Sequence, residues 1–454
     1  MAGVGTEARP LRVAVVGAGP SGFYAAAALF ASDLHVRVDM IDRLPTPFGL
    51  VRGGVAPDHQ KIKKVVRAYE KTARADGFRF LGGIRVGSDV TLAALQESYD
   101  QVVLAIGAES AKRLGIPGEE LPGSHSATDF VGWYNGHPDH QEHQFDLSAS
   151  RAAVVIGIGN VSMDVTRILL RDPDDLAVTD IADNALQQLR RSAIEDVYVL
   201  GRRGPAQAAF SYAEIKEISE LPGVDLVVRR VDAELDPLSQ AWLDEHGDRQ
   251  ARQNVAFLQE AVGRPLTGNR RVHMRLFTSP IQYTGDARVE AVEIGHNAIA
   301  EVGGALKPAD TGERKVLQAG LVLRAVGYRG VPLSGAPFDS RRGIVPNEAG
   351  RVMEDGAAVP RLYVVGWAKR GPTGLIGTNR ADSRATVAAM LDDVTDLPDA
   401  PREPAPGLAA KALDWAAWGR IDAAELAAGR ASGKIREKFV RVEEMWAAAN
   451  RAVT

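Results

Sequence analysis

The sequence contains no cysteine. That absence removes cysteine-ligated iron–sulfur clusters, catalytic thiols and redox-active disulfides from the chemistry available within the chain. A strong charge of one sign is also missing. The formal net charge of −4 gives no bulk electrostatic footprint for nucleic acid, although local basic patches remain able to meet an acidic protein. The nine histidines predict no metal site. Only Val13 to Ser32, twenty uncharged residues after Arg9 and Arg12, has the length and apolarity of a secretory leader or membrane span. Gly17, Gly19, Pro20 and Gly22 interrupt it and suit a strand-turn-helix better, so the expectation is a cytoplasmic protein with no membrane span.

Two glycine turns stand out: GAGPSG at Gly17 to Gly22 and GIGNVS at Gly157 to Ser162, each after an aliphatic run. One such turn is weak evidence, because only a strand before it, a helix after it and a placed acid give it physical meaning. The first copy has all three. LRVAVVGAGPSGFYAAAALFA reads as strand, turn and alanine-rich helix, so backbone N–H groups at the helix start, around Gly19, Pro20, Ser21 and Gly22, face a pyrophosphate. Twenty positions beyond Gly22 the next strand ends on Asp42, whose carboxylate suits ribose hydroxyls of FAD or NAD and disfavours a 2′-phosphate.

The second copy carries Arg202 and Arg203 after IEDVYVLG, where the first has its acid. Guanidinium forks there grip a 2′-phosphate, which favours NADP(H) over NAD(H); the plainer alternative is that the two merely solvate a strand end. DPDDLAVTDIADNALQQLRRSA lengthens this crossover with a polar, helix-prone insertion.

A length of 454 residues predicts two or three domains. VRVDMI, QVVLAIGA and RLYVVGWAK read as strands of one nucleotide domain, interrupted by a second containing AVVIGIG, VYVLGRR and GLVLRAVGY. The predicted class is α/β: two Rossmann-like dinucleotide-binding domains, the NADP domain at 116–329 inserted into a discontinuous FAD domain at 1–115 and 330–454. The carboxy-terminal part, DWAAWGRIDAAELAAGRASGKIREKF, looks helical and bears Arg430, Lys434, Arg436 and Lys438. It packs on the flavin domain, meets a partner, or forms a solvated charged surface.

Taken together, LPTPFGLVRGGVAPDHQKIK, IPGEELPG with FVGWYNGHP, GIGNVSMDVTRILL, GRRGPAQAAF, VGWAKRGPTGLIGTN and the tail GRASGKIREK resemble the adrenodoxin-reductase-like ferredoxin–NADP reductases, bacterial members included. The resemblance covers nearly the whole chain. It implies that Gly17 to Gly22, Asp42, Leu50 and Val86 surround FAD, with Trp367 and Gly374, Leu375 and Ile376 at its flavin end. It further implies that Gly159, Asn160 and Val161 contact the NADP pyrophosphate, that Arg202 and Arg203 take the 2′-phosphate, and that Glu214 approaches the nicotinamide. His59, Asp164 and Glu214 resemble the family's polar group that manages protons near the flavin. Two positions depart from the pattern: Ser162 stands where alanine is usual, and Lys112 where a phosphate-facing arginine is expected. The implied reaction passes a hydride from NADPH to FAD N5 and then single electrons to a ferredoxin-type iron–sulfur protein, which in turn feeds an acceptor such as a cytochrome P450. Arg229, Arg230, Arg270 and Arg271 are candidate contacts for that acidic partner. The competing readings are a flavin monooxygenase or NADPH oxidase, a nucleotide-responsive scaffold, and an electron-feeding subunit of a larger enzyme.

Overall fold

The computed structural model describes residues 3–398, 402 and 407–450. The chain divides into two units, one of Met1–Ser110, Asn135–Pro138 and Tyr328–Thr454, the other of Ala111–Tyr134 and Asp139–Gly327.

In the first unit, the aliphatic run Leu11–Val16 forms a strand in which only Arg12 escapes burial. Such runs mark parallel strands covered on both faces. It sits inside a seven-stranded sheet, between Gln101–Leu104 and Val36–Asp42, with Phe78–Gly82 beyond. Ala357–Val364 pairs in parallel with Gln101–Leu104, so a strand from the far end of the chain completes the parallel core. Arg351–Glu354 and Asn347–Glu348 add an antiparallel edge. The helix Pro20–Phe30 starts with proline, whose fixed φ and missing N–H are harmless in a first turn. The helix Thr378–Asp392 packs against it, and Ser383 Oγ donates to the carbonyl of Ser21 at 3.0 Å.

The carboxy-terminal helix Trp415–Ser432 buries Trp418 and Ile421 in the same apolar cluster as Phe23 and Phe48. Its basic extension is not a solvated surface. Lys434 and Lys438 are buried, and Lys438 Nζ donates to the carbonyl of Arg52 at 3.3 Å. Arg436 reaches Glu425 at 2.7 Å and Asp422 at 2.5 Å. Glu425, fully buried, also pairs with Arg52 through a second fork and accepts from the Phe439 amide at 3.0 Å. Glu425 thus draws Arg436 and Arg52 inward, while Lys438 is held by the Arg52 carbonyl.

The second unit contains a six-stranded parallel sheet in the order Ser124–Ser126, Leu321–Arg324, Ala152–Ile156, Asp196–Leu200, Arg270–Arg275, Val224–Val228. Beside it lies an antiparallel sheet of Thr278–Thr284, Ala291–Val302 and Ala305–Gln318, which the sequence reading did not anticipate. The insertion folds as the helices Pro173–Ala177 and Asp183–Arg190. Among the described residues no helix is long and apolar enough to cross a membrane.

Candidate functional site

Each unit carries a glycine turn at the carboxyl edge of its central strand, where open α/β sheets bind nucleotides. In the first, the Gly17 amide donates to Ile41 O at 2.7 Å, which draws the turn against the neighbouring strand. A Cβ on Gly22 would lie 2.2 Å from Gly17 O, so only glycine lets the helix start this close. Asp42 holds the turn with both oxygens, accepting from the Ala18 amide at 2.8 Å and the Leu44 amide at 2.9 Å. Burial pushes its carboxyl up, opposed by those two amides. Leu50 begins the short helix Leu50–Gly53 and is exposed. Beside Asp42 a small cavity is lined by Gly49, Arg52 and Asn135 among others. Val86 lies instead in a buried apolar cluster with Val16, Ile41 and Leu104.

The VGWAKRGPTGLIGTN segment comes to the same turn. A Cβ on Gly366 would meet Ser21 Oγ at 2.0 Å, and the Gly366 amide donates to Asp382 at 2.6 Å. Trp367 follows, its indole Nε1 buried with no hydrogen-bond partner among the described residues. A buried donor without an acceptor costs about 1–3 kcal/mol, so this one points to a ligand atom. Leu375 is 68% exposed beside Gly374, whereas Ile376 packs on the core. An unsatisfied indole donor, a glycine turn at a helix start and an acid-ended strand fit FAD.

The second turn repeats the layout: the Gly157 amide donates to Leu200 O at 2.9 Å, and Gly159 caps the helix Asn160–Leu170. Asn160 Oδ1 accepts from the Ser211 amide at 2.7 Å, which leaves Val161 in the first helical turn and Ser162 fully buried. Serine therefore keeps the close packing of the alanine usual here. Arg202 and Arg203 stand just past the strand Asp196–Leu200, with Arg202 exposed and Arg203 half-buried. Asn297 Nδ2 fixes the Arg202 carbonyl at 2.9 Å, and the Phe277 amide fixes that of Arg203 at 3.1 Å. Among the described residues neither guanidinium has a carboxylate partner. Burial, and after it the neighbouring Arg202 guanidinium, lower the Arg203 pKa. Lys112 is exposed, and its amide donates to Gly327 O at 3.1 Å.

Of the proton-handling candidates, His59 belongs to the first unit and stands at the N-cap of Gln60–Lys63, though its side chain makes no cap bond there. Asp164 and Glu214 belong to the second and are joined by a residue that sequence reasoning missed. Arg167, fully buried, reaches Asp164 at 2.6 Å and Glu214 at 3.1 Å. The D-x-x-R spacing on one helix was the available signal. Glu214 also sits in the first turn of Tyr212–Ser219, where the helix dipole favours its charge.

The four docking candidates do not share a face. Arg270 pairs in register with Val224, and Met274 with Val228, so Arg270 and Arg271 start one strand while Arg229 and Arg230 follow the other end of its neighbour. Arg229 is committed to the buried Asp232 at 2.6 Å.

Comparison with known proteins agrees with this pair of sites. A family profile described as "Pyridine nucleotide-disulphide oxidoreductase" matches residues 11–203. The chain is 47% identical to the NADPH-ferredoxin reductase FprA of Mycobacterium tuberculosis, over 96% of this chain and 98% of that one. The chain belongs to the adrenodoxin-reductase-like ferredoxin–NADP reductase family. Within that family it is also 40% identical to the mitochondrial NADPH:adrenodoxin oxidoreductase of Arabidopsis thaliana, over 98% of this chain and 96% of the relative. A solved structure of M. tuberculosis FprA in complex with NADPH superposes with a TM-score of 0.90 at 44% identity, covering 97% of this chain and 100% of that one. The sequence has no cysteine, so thiol–disulfide exchange is not available to this chain.

Proposed function

We propose that this chain is an FAD-containing NADPH–ferredoxin reductase, carrying electrons from NADPH to a ferredoxin-type iron–sulfur protein. The observation that carries the reading is the unpartnered arginine pair beyond the second glycine turn, in a chain whose first turn ends on an acid. One turn then takes a nucleotide without a 2′-phosphate and the other takes one with it. Bound FAD supplies the conversion between a two-electron donor and a one-electron acceptor, for which this cysteine-free chain has no group of its own.

The residues divide the remaining work. Gly17, Gly19, Pro20, Ser21 and Gly22 present the helix start to the FAD pyrophosphate, and Asp42 braces that turn while facing ribose. Leu50 flanks the cofactor with Val86 in the apolar cluster behind it, and Trp367, Gly374 and Leu375 line its flavin end, backed by Ile376. On the other unit Gly159, Asn160 and Val161 face the NADP pyrophosphate, with Lys112 as a point charge, and Arg202 and Arg203 grip the 2′-phosphate. Arg167 keeps Asp164 and Glu214 paired and oriented, and these carboxylates with the His59 imidazole hold the protons that hydride chemistry requires. The first unit is the FAD domain, expected at 1–115 and 330–454, and the second the NADP domain, expected at 116–329; the segment Asn135–Pro138 groups with the first. The reading includes a cytoplasmic setting and a cytochrome P450 as one class of terminal acceptor.

Two measurements test parts of it. Gly22→Ala is expected to lower FAD affinity by about tenfold or more, because relieving the contact with Gly17 O displaces the turn; FAD released on ultrafiltration measures it, and unchanged retention contradicts the role of the turn. Ferredoxin-dependent turnover is expected to fall steadily as salt rises from roughly 0.01 to 0.3 M, since the partner is steered by charge. A flat response contradicts a charge-steered interface.

A further inference from the structure

The second unit holds a cluster that neither nucleotide site uses. Asp129 lies in the first turn of the helix Ala127–Tyr134, and His140 and His143 lie three residues apart in the segment after it. His140 Nδ1 is 3.3 Å and His143 Nε2 is 3.5 Å from the same carboxylate oxygen, Asp129 Oδ1. All three atoms lie within 4.8 Å of one another. We propose that Asp129, His140 and His143 bind a borderline divalent transition-metal ion of the Zn²⁺ type, with a fourth position open to water.

The separations fit the ion. Zinc bonds of about 2.0–2.2 Å to nitrogen and oxygen, set at tetrahedral angles, place ligand atoms about 3.3–3.5 Å apart. Two of the three edges already have that length. One carboxylate with two imidazoles is also a donor set that suits zinc, copper, nickel or iron rather than calcium or magnesium.

The surroundings orient these ligands in the way metal sites require. Asp129 Oδ2 accepts from Ser126 Oγ at 2.7 Å, and Ser126 Oγ accepts from the Asp129 amide at 3.0 Å, so the carboxylate is turned with Oδ1 toward the histidines. The His140 ring rests on Gly132, where a Cβ would come within 2.2 Å of ring atom Cδ2. Phe145, buried, underlies the cluster with its ring 6.1 Å from His143 and 4.8 Å from Trp133. The ligand side chains retain 18–38% exposure, enough for an ion to enter and for water to complete its shell. This departs from the sequence expectation of no metal. The sequence signal is HPDHQEH, an H-x-x-H spacing repeated at His137, His140 and His143, which the expectation of no clustered histidines overlooks. Without a metal, one carboxylate oxygen faces two imidazole nitrogens at 3.3 and 3.5 Å.

The test uses tag-free holoprotein, stripped with chelator and dialysed against micromolar Zn²⁺, with bound metal counted by elemental analysis. One zinc per chain is expected, with affinity falling about tenfold or more in Asp129→Asn and in His143→Gln. His246→Gln, at an exposed histidine on another helix, is expected to retain it. The half-exposed position of His143 makes that variant benign to folding, and its flavin absorbance and circular dichroism confirm this. No zinc at micromolar concentration, or equal retention in wild type and all variants, overturns the site.

Discussion

Replacing Arg202 and Arg203 together with alanine is expected to raise the KM for NADPH by roughly 10²- to 10⁴-fold while leaving NADH use much less affected. Each charge-assisted hydrogen bond to a phosphate contributes about 1.5–3 kcal/mol, so two forks supply about 3–6 kcal/mol, and every 1.4 kcal/mol is tenfold. The effect is large because the site is preformed. The backbone carbonyls of both residues are pinned by Asn297 and Phe277, and the guanidiniums repel each other until an anion arrives. Binding the 2′-phosphate therefore breaks no existing ion pair. The change concerns binding rather than chemistry, so kcat at saturating NADPH stays within a few-fold. Equal losses for NADPH and NADH reject the clamp.

Glu425→Ala is expected to destabilise the first unit by about 3–5 kcal/mol, because it strands the Arg52 and Arg436 guanidiniums without their shared buried anion. For a unit of this size that corresponds to a fall in Tm of roughly 10 °C. Arg52 also lines the cavity beside Asp42 and Gly49, so FAD is expected to leave the variant more readily. Arg430→Ala, at an exposed position on the same helix, is the control and stays within about 0.5 kcal/mol. Burial alone would raise the Glu425 carboxyl, but Arg52 and Arg436 outweigh it and hold the group below its ordinary 4.5. Its stabilising contribution is therefore complete above about pH 4.5 and is lost as pH falls through the lowered folded-state value. Wild type is expected to lose Tm across that acid window while Glu425→Ala does so less. Equal melting temperatures for the two proteins at neutral pH contradict the network's role.

Sequence patterning made the nucleotide units legible because their signals are local. A strand, a glycine turn and a helix occupy some twenty consecutive residues, and the next strand leads to Asp42 at its end in the first copy and, after a longer crossover, to Arg202 just past Leu200 in the second. The discontinuous sheet was legible for the same reason, since each strand is a short apolar run. What escaped the reading depends on distant partners. The basic tail left packing, a partner and a solvated surface open, because Glu425, Arg52 and Asn135 meet it only in the folded chain. Arg167 passed as an ordinary helical residue until Glu214, on another helix, closed its ion pair. Asn297, which fixes the arginine clamp, lies in an antiparallel sheet that carried no motif.

The most direct test of the central claim is anaerobic spectroscopy of the purified protein: flavin absorbance is followed after addition of NADPH, separately after NADH, and then on adding oxidised ferredoxin. Rapid bleaching by NADPH, much slower bleaching by NADH and recovery on ferredoxin addition are the predicted results. A protein without flavin absorbance, bleaching that does not distinguish the two nucleotides, or recovery only on admitting oxygen contradicts the account.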